Sequence, residues 1–172
     1  SISGTIDEAT HILPEDPYAI SKAACDLFGQ YYYKRHGMKI ITTRTFSYTG
    51  PRKREETAES SFAKQIALIE KAKQEPIIKV GNLDSLKTFM DVRDLAEAYC
   101  LLMEKGAAGE TYIVCGDAIL SMREVLENLI KMSGVEVTVE IDRRLFRPTE
   151  TINQKPDSSK IRREVGWKPK IP

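Results

Sequence analysis

The sequence is poor in the residues that build disulfides and metal sites. It has 3 cysteines and 2 histidines in 172 residues. Cys25, Cys100 and Cys115 are far apart and lie in apolar surroundings, so we expect buried free thiols in a reducing compartment, the cytoplasm. His11 and His36 have no cysteine or carboxylate at the spacing of metal ligands, which argues against a metal site.

Strong charge and long apolar runs are also missing. The net charge is +1, so no strong field draws the chain to nucleic acid or to an anionic membrane. No apolar run approaches the roughly 20 residues that a membrane-spanning helix needs. We therefore expect neither nucleic acid nor a membrane among the partners.

The 10 glycines never form the pattern Gly-x-x-Gly-x-x-Gly. A dinucleotide site needs such a turn between a strand and its helix, where backbone N–H groups meet the pyrophosphate. The sequence therefore predicts no complete dinucleotide site of its own. What is present is ordinary globular material, with 41% hydrophobic and 30% charged residues, enough for one or two domains.

The most informative stretch begins at Asp16 and predicts the start of a helix. Asp16 suits the N-cap, and Pro17 suits the first helical position. Tyr18 and Lys22 are four residues apart, which places their side chains one turn apart on the same face. A Lys ammonium beside a Tyr hydroxyl favours the phenolate, and such a Tyr can exchange a proton with a sugar hydroxyl or carbonyl. The alternative is a chance pair in a chain with 7 tyrosines.

Local signals downstream predict alternating helices and strands. The first helix should end at Gly37, a residue that suits a left-handed C-terminal cap. The β-rich run 39–46 has apolar residues on both faces, as in a parallel strand covered by helices. Strands are also predicted over 77–80, 110–115 and 135–141, and a turn at 81–84 should let 86–90 return alongside. A capping box of Ser121 and Glu124 opens a late helix, and a last one begins at Ser158 or Ser159.

Two further helices show apolar stripes that should face a core. One runs from Ser60 or Ser61 to Lys73, and its predicted buried residues are Phe62, Ile66 and Ile69. The other runs from Asp91 to Glu104, and its predicted buried residues are Leu95, Ala98, Tyr99 and Leu102. Asp94 is interpreted as a first-turn carboxylate that complements the helix dipole, and Trp167 should dock on the core.

Several separated motifs occur in an order that resembles a known family. The motif PYAISK at 17–22, a strand that ends RTF at 44–46, and GP at 50–51 resemble the extended short-chain dehydrogenase/reductases that act on nucleotide sugars. GNLD at 81–84, DVRD at 91–94, RPTE at 147–150 and GWKP at 166–169 are similar to GDP-mannose 4,6-dehydratases and GDP-4-keto-6-deoxymannose reductases. The resemblance covers nearly the whole chain.

This resemblance implies an α/β fold, namely the C-terminal portion of a Rossmann-like doubly wound parallel sheet with a small α/β substrate-binding domain. Residues 1–75 would form the last Rossmann segment. Residues 76–172 would form mainly the substrate domain, with one returning Rossmann helix and strand near 91–115. The implied cofactor is NADP or NAD, the implied substrate is a nucleotide sugar of the GDP-mannose type, and a homo-oligomer is expected. Without the glycine-rich half, we expect this chain alone to be inactive and not to bind the cofactor.

The resemblance also suggests roles for particular residues. The catalytic pair would be Tyr18 and Lys22, which would contact the cofactor together with Tyr48 and Arg52. The substrate would be bound by Ser47, Lys64, Lys79, Lys87 and Arg147. Ser47 stands where the family usually has Asn, Tyr48 where this branch often has His, and Lys87 where Arg is common. Ser3 is a candidate for the catalytic hydroxyl that normally precedes the helix.

The basic run 51–54 has a physical argument of its own. It follows the carboxyl end of a strand, where ligands bind in open α/β sheets, and its cations suit phosphate oxygens. The alternative is a solvated charge run.

Three functions remain open from the sequence. The first is a dehydratase or reductase part, which the shared residues do not separate. The second is a non-catalytic remnant that binds a partner or a nucleotide sugar. The third is an unrelated α/β interaction domain. Because only strands 39–46 and 110–115 of the parent sheet would remain, one edge should be unpaired. Self-association through that edge, or through the helices that carry Tyr18 and Phe62, is therefore predicted.

Overall fold

A computed structural model describes residues 4–146 and 155–171. Helices alternate with short strands along this part of the chain. The elements are α1 (Pro17–His36), β1 (Thr42–Thr45), α2 (Ala58–Glu70), β2 (Ile77–Val80), β3 (Leu86–Phe89), α3 (Val92–Lys105), β4 (Thr111–Val114), β5 (Ala118–Ser121), α4 (Met122–Ser133), β6 (Thr138–Ile141), a 3-10 turn (Arg143–Leu145) and α5 (Ser159–Val165). None of the described helices is long and apolar enough to cross a bilayer.

The chain divides into two compact units, each built from separate stretches. The first contains Ser1–Thr49, Thr88–Ala118 and Gln154–Pro172, and the second contains Gly50–Lys87 and Ile119–Asn153. Residues 50–75 belong to the second unit because α2 packs against α4 and β2. The predicted segments 1–75 and 76–172 divide the chain elsewhere, and their separate roles stay a prediction.

In the first unit, β1 and β4 form a parallel pair. Thr42 lies opposite Thr111, and Thr45 lies opposite Val114. The parallel sheet predicted from runs 39–46 and 110–115 is therefore confirmed, with shorter strands. The outward-facing N–H of Ile113 on β4 donates to the Glu8 carboxylate at 2.9 Å, so a side chain covers that edge.

Helix α1 begins and ends where its local chemistry predicts. The N–H of Ala19 donates to Asp16 Oδ1 at 2.7 Å, and Pro17 occupies the first turn. Gly37 ends the helix with φ 64°, and its N–H donates to the Tyr33 carbonyl at 3.0 Å. A left-handed residue at this point is most easily a glycine, which has no Cβ to clash.

The core of the first unit lies between β4, α3 and α5. Its buried side chains are Met90, Leu95, Ala98, Leu102, Tyr112, Val114, Ile161, Val165 and Trp167. The predicted stripe on α3 is correct except for Tyr99, which is 40% exposed. Its hydroxyl forms a 3.0 Å hydrogen bond with Thr45 Oγ1, so a polar partner holds it near the surface.

Asp94 does more than complement the dipole of α3. Its side chain is buried, and Oδ2 accepts the N–H groups of Lys170 at 3.1 Å and Ile171 at 2.9 Å. The indole Nε1 of Trp167 donates to the Asp94 carbonyl at 3.0 Å. The predicted docking of Trp167 on the core is therefore confirmed. Asp94 also holds the segment that follows Trp167, through the N–H groups of Lys170 and Ile171.

In the second unit, β2 pairs in parallel with β6, and Ile77 lies opposite Thr138. The predicted return of 86–90 alongside 77–80 is wrong, because β3 pairs with β5 instead. Helices α2 and α4 pack together and bury Phe62, Ile66, Met122 and Leu126.

The limits of α2 differ from the predicted ones. It begins at Ala58 after Thr57 and ends at Glu70, rather than running from Ser60 or Ser61 to Lys73. The hydroxyl of Ser60 is already engaged with Thr57 Oγ1 at 3.1 Å. By contrast, the capping box of α4 is confirmed: Glu124 N–H donates to Ser121 Oγ at 3.1 Å, and Ser121 N–H donates to Glu124 Oε2 at 2.7 Å.

The three cysteines are all free thiols, but their burial differs from the expectation. Only Cys115 is buried, whereas Cys25 and Cys100 are exposed. Their apolar neighbours in the sequence are themselves partly exposed on α1 and α3. Burial also raises the pKa of the Cys115 thiol above its ordinary value, which makes it a poor nucleophile.

Candidate active site

Tyr18 and Lys22 occupy adjacent turns at the start of α1. The Lys22 Nζ lies 5.4 Å from the centroid of the Tyr18 ring, within the distance at which an ammonium interacts with an aromatic face. Tyr18 is 71% exposed, and Lys22 is exposed as well. The phenol and the ammonium are therefore neighbours, and both are accessible to a ligand.

The contacts between α1 and β1 show where this pair lies along the strand. Arg44 of β1 is bonded to Asp26 of α1 at 2.8 Å. Lys22 precedes Asp26 by one turn, about 6 Å of helix, and Phe46 follows Arg44 by two residues, about 7 Å of strand. Gly29, later in α1, lies against Thr42 and Ile40, which precede Arg44. The helix therefore runs antiparallel to β1, and Lys22 and Tyr18 lie toward the carboxyl end of that strand.

Ser47 and Tyr48 follow β1 at this same end. The next residue, Thr49, forms a parallel bridge with Asp91: its N–H donates to the Met90 carbonyl, and its own carbonyl accepts the N–H of Val92, both at 2.8 Å. Ser47 is half-buried, and Tyr48 is 42% exposed. Four of the predicted site residues therefore lie on the first unit at the carboxyl end of β1, where open α/β sheets bind ligands.

The other predicted residues lie on the second unit. Arg52 is exposed and has φ 69°, Lys87 is half-buried in β3, and Lys64 pairs with Glu55 on the exposed surface of α2. A ligand at Lys64 would have to compete with that carboxylate. Arg147 and Ser3 lie outside the described residues.

Lys79 lies on the exposed face of β2, in a small group of charges. Arg144 hydrogen-bonds Asp142 through its guanidinium and its N–H, and with the charge of Lys79 it lowers the pKa of Asp142 to about 2. Asp142 is thus ionised at neutral pH and is surrounded by cations. Lys79 also lies opposite Glu140 in the register of β2 and β6, so the two cations of this group are matched by two carboxylates.

The sequence reasoning missed a buried ionic pair close to the candidate catalytic residues. Asp26 is 6% exposed and belongs to the same face of α1 as Tyr18 and Lys22. Its signal was present as a third polar residue at the same four-residue spacing, followed by an arginine within a β-rich run. Within 4–146 and 155–171, no group of three His, Cys, Asp or Glu side chains could hold a metal ion.

Comparison with known proteins gives consistent results. The family described as GDP-mannose 4,6 dehydratase matches residues 2–172. The chain is 30% identical over 158 residues to GDP-6-deoxy-D-mannose reductase of Pseudomonas aeruginosa, covering 92% of this chain and 52% of that protein. It is 29% identical over 166 residues to GDP-mannose 4,6 dehydratase 1 of Arabidopsis thaliana, covering 95% and 45%.

Among solved structures, that of RMD from Pseudomonas aeruginosa complexed with NADPH has a TM-score of 0.91 and 28% identity. The match covers 98% of this chain and 55% of that one. The fold and these matches show that the chain belongs to the nucleotide-sugar dehydratase and reductase group of the extended short-chain dehydrogenases/reductases. More particularly, the chain belongs to the GDP-mannose 4,6-dehydratase family. It spans about half the length of the curated relatives named above.

Proposed function

We propose that this chain forms the carboxyl-terminal part of an NAD(P)-dependent nucleotide-sugar 4,6-dehydratase of the GDP-mannose type. The observation that carries the proposal is the exposed Tyr18–Lys22 pair at the carboxyl end of β1. It combines a proton-transfer group with a cation in the position where the fold binds ligands. The family membership supplies the substrate class.

The residues present fit one end of NAD(P). The Lys22 ammonium is exposed and has donors for ribose hydroxyls, and the Tyr18 hydroxyl is open to the same space. The sequence holds no glycine-rich turn for the pyrophosphate, so this chain alone binds the cofactor weakly or not at all. Tyr48 and Arg52 are the further residues that would contact it.

In the proposed reaction, Tyr18 takes the proton of the sugar 4-hydroxyl as that carbon becomes a carbonyl. The carbonyl acidifies the neighbouring C5–H, so that water leaves from C5 and C6 before a hydride adds at C6 and a proton at C5. The Lys22 ammonium places a positive charge beside the Tyr18 ring, 5.4 Å from its centroid. Bound NAD(P) would supply the acceptor and donor of the hydride, chemistry that no side chain offers. Arg52, Lys79 and Lys87 provide positive charge for the diphosphate of the nucleotide sugar.

Two alternatives have specific support. A GDP-4-keto-6-deoxymannose reductase fits equally well, because the reductase and dehydratase relatives are 30% and 29% identical to the chain. A non-catalytic remnant that binds nucleotide sugars or dimerises is favoured by the missing glycine-rich turn and by Ser47, which stands where the resembled family usually has Asn. A homo-oligomer is part of the proposal in each case, and a monomer by light scattering at high concentration would contradict it.

Calorimetric titration tests the binding part of the proposal. The 172-residue chain is titrated separately with GDP-mannose and with NADPH. We expect heat from GDP-mannose and none from NADPH. Tight binding of NADPH by this chain alone would contradict the claim that it lacks a dinucleotide site. The absence of binding heat with both ligands would contradict a nucleotide-sugar site.

Turnover is measured with the chain joined to a glycine-rich strand–turn–helix half from a relative. Conversion of GDP-mannose without net oxidation of the cofactor identifies a dehydratase, whereas NADPH consumption with the 4-keto sugar identifies a reductase. Tyr18→Phe should lower turnover by about a hundredfold or more. Tyr31→Phe is the matched control, because Tyr31 is an exposed tyrosine of the same helix, 52% exposed, and lies outside the site. Equal rates for the two variants would exclude Tyr18 as the proton-transfer residue.

A further inference from the structure

Among the described side chains of α1, the one that is buried carries a charge. Asp26 is 6% exposed, whereas the neighbouring Leu27 and Phe28 are 64% and 62% exposed. Burying a carboxylate is costly unless it is paired and hydrogen-bonded. Since apolar residues of similar size often replace a buried ion pair without loss of stability, stability alone explains Asp26 poorly.

The Asp26 carboxylate belongs to a chain of directional bonds that crosses several elements. Oδ2 accepts from Arg44 Nε at 2.8 Å, and Oδ1 accepts from Gln30 Nε2 at 2.7 Å. Arg44 Nη1 donates to the Glu8 carbonyl at 3.0 Å, and the Glu8 carboxylate accepts the N–H of Ile113 at 2.9 Å. The bonds therefore tie α1 to β1, to the loop before α1 and to β4.

One turn further along, the helix approaches β1 closely without interlocking with it. A Cβ atom on Gly29 would lie 3.1 Å from Thr42 Oγ1 and 3.4 Å from Ile40 Cγ2. Glycine permits this approach, but it has no side chain to fit between neighbours on the strand. The Gly29 contact alone therefore fixes the axial position of α1 only weakly. The ring of Tyr33 adds an apolar contact with Gly109, and the bond between Arg44 and Asp26 adds a directional one.

We infer that the Asp26–Arg44 pair is a positioning device that fixes the axial register of α1 on β1, and thereby holds Tyr18 and Lys22 at the end of the strand. Tyr18, Lys22 and Asp26 follow one another at intervals of four residues on one face. A slip of one residue moves Tyr18 by about 1.5 Å, and a misplacement of about 1 Å can cost a hundredfold in rate. The effect of the Asp26–Arg44 pair on catalysis rests on the function proposed above, whereas its effect on helix register does not.

Nuclear magnetic resonance on the 172-residue chain reads the register directly. The cross-relaxation signals of Gly29 with Thr42 and Ile40 report how α1 lies on β1. The test variant combines Asp26→Leu with Arg44→Leu, which replaces the pair by apolar groups. Arg44→Lys, which keeps the charge but loses the planar fork, serves as a second variant if the first does not fold. Asp84→Asn is the matched control, because Asp84 pairs with Arg123 on the surface, where the two side chains are 80% and 52% exposed.

The expected result is a separation of stability from register. The double variant should unfold at the same denaturant concentration as the wild type, yet lose at least half of the Gly29–Thr42 signal or transfer it to a neighbouring residue. The control should keep the signal unchanged. An unchanged signal in the double variant, or in Arg44→Lys, overturns the inference.

A second measurement uses the chain joined to the glycine-rich half of a relative, here called the joined assembly. In it, the double variant should lower kcat at least tenfold and change KM for the nucleotide sugar less than twofold. A wild-type kcat in a variant of shifted register overturns the positioning role. If the wild-type assembly itself shows no turnover, the proposed function fails, while the register measurement stands by itself.

Discussion

Trp167 is the residue whose removal should damage the first unit most. It is 1% exposed and packs in the cluster that joins β4, α3 and α5. Truncation of a buried Trp to Ala costs about 3–5 kcal/mol through lost transfer energy and the cavity left behind. The 3.0 Å bond from the indole N–H to the Asp94 carbonyl is lost as well, at about 1 kcal/mol. The sum for Trp167→Ala is about 4–6 kcal/mol, close to the whole stability of many domains.

Trp167→Phe separates the two contributions. It keeps most of the apolar volume but removes the N–H donor, so we expect a loss of about 1–2 kcal/mol from the bond and a small cavity. Met103→Ala is the matched control on the surface of α3, where the side chain is 86% exposed, and it should change stability by less than about 0.5 kcal/mol.

The assay is urea unfolding followed by circular dichroism, because the chain has 1 Trp and its fluorescence disappears with the substitution. The free energy of unfolding is compared among the wild type and the three variants. A loss below about 2 kcal/mol for Trp167→Ala would show that the segment after α5 does not dock as described. A loss for Trp167→Phe as large as for Trp167→Ala would mean that the hydrogen bond, not packing, holds the indole.

Further predictions concern a close approach, a helix cap and pH. Gly116→Ala should lower the melting temperature markedly, because the new Cβ would overlap the Phe89 carbonyl oxygen, and a backbone atom cannot move aside cheaply; an unchanged melting curve would contradict this packing. Ser121→Ala should cost about 1 kcal/mol by chemical denaturation, because it breaks the capping box of α4, and a neutral result would mean that the box is not formed in solution. Hydrogen bonds from the Arg93 side chain and N–H lower the pKa of Asp91 to about 2, so its stabilising effect is complete above the unfolded value near 4 and is lost as the pH falls through about 2. Asp91→Asn should therefore flatten the fall of the melting temperature between about pH 4 and 2, and an unaltered pH profile would refute this role.

Local chemistry was the reliable guide in the sequence. The ends of α1 depend on Asp16 and Gly37, and the start of α4 depends on Ser121 and Glu124; each was predicted because the partners lie within a few residues. The parallel pairing of β1 with β4 was also predicted, from two β-rich runs and the resemblance. The error at α2 was local too, since Thr57 competes with Ser60 as the first residue outside the helix.

Errors arose where the partner is distant in the chain. The return of 86–90 beside β2 was wrong because β6, more than 50 residues later, takes that place. Tyr99 has the helical spacing of a buried residue, yet its side chain stays near the surface, where its hydroxyl forms a hydrogen bond with Thr45. The Asp26–Arg44 pair was missed because burial of a carboxylate cannot be told from its neighbours in sequence.

The sequence by itself determined the family, the helix ends and the Tyr18–Lys22 spacing, because motifs, caps and helical periodicity act over one or two turns. Only the tertiary structure decided which strands pair, which charges are buried and where α1 lies along β1. Those features depend on contacts between residues that are distant in the chain. Such contacts form only when the whole unit packs, because the entropy lost in closing a long loop is not offset by any local preference.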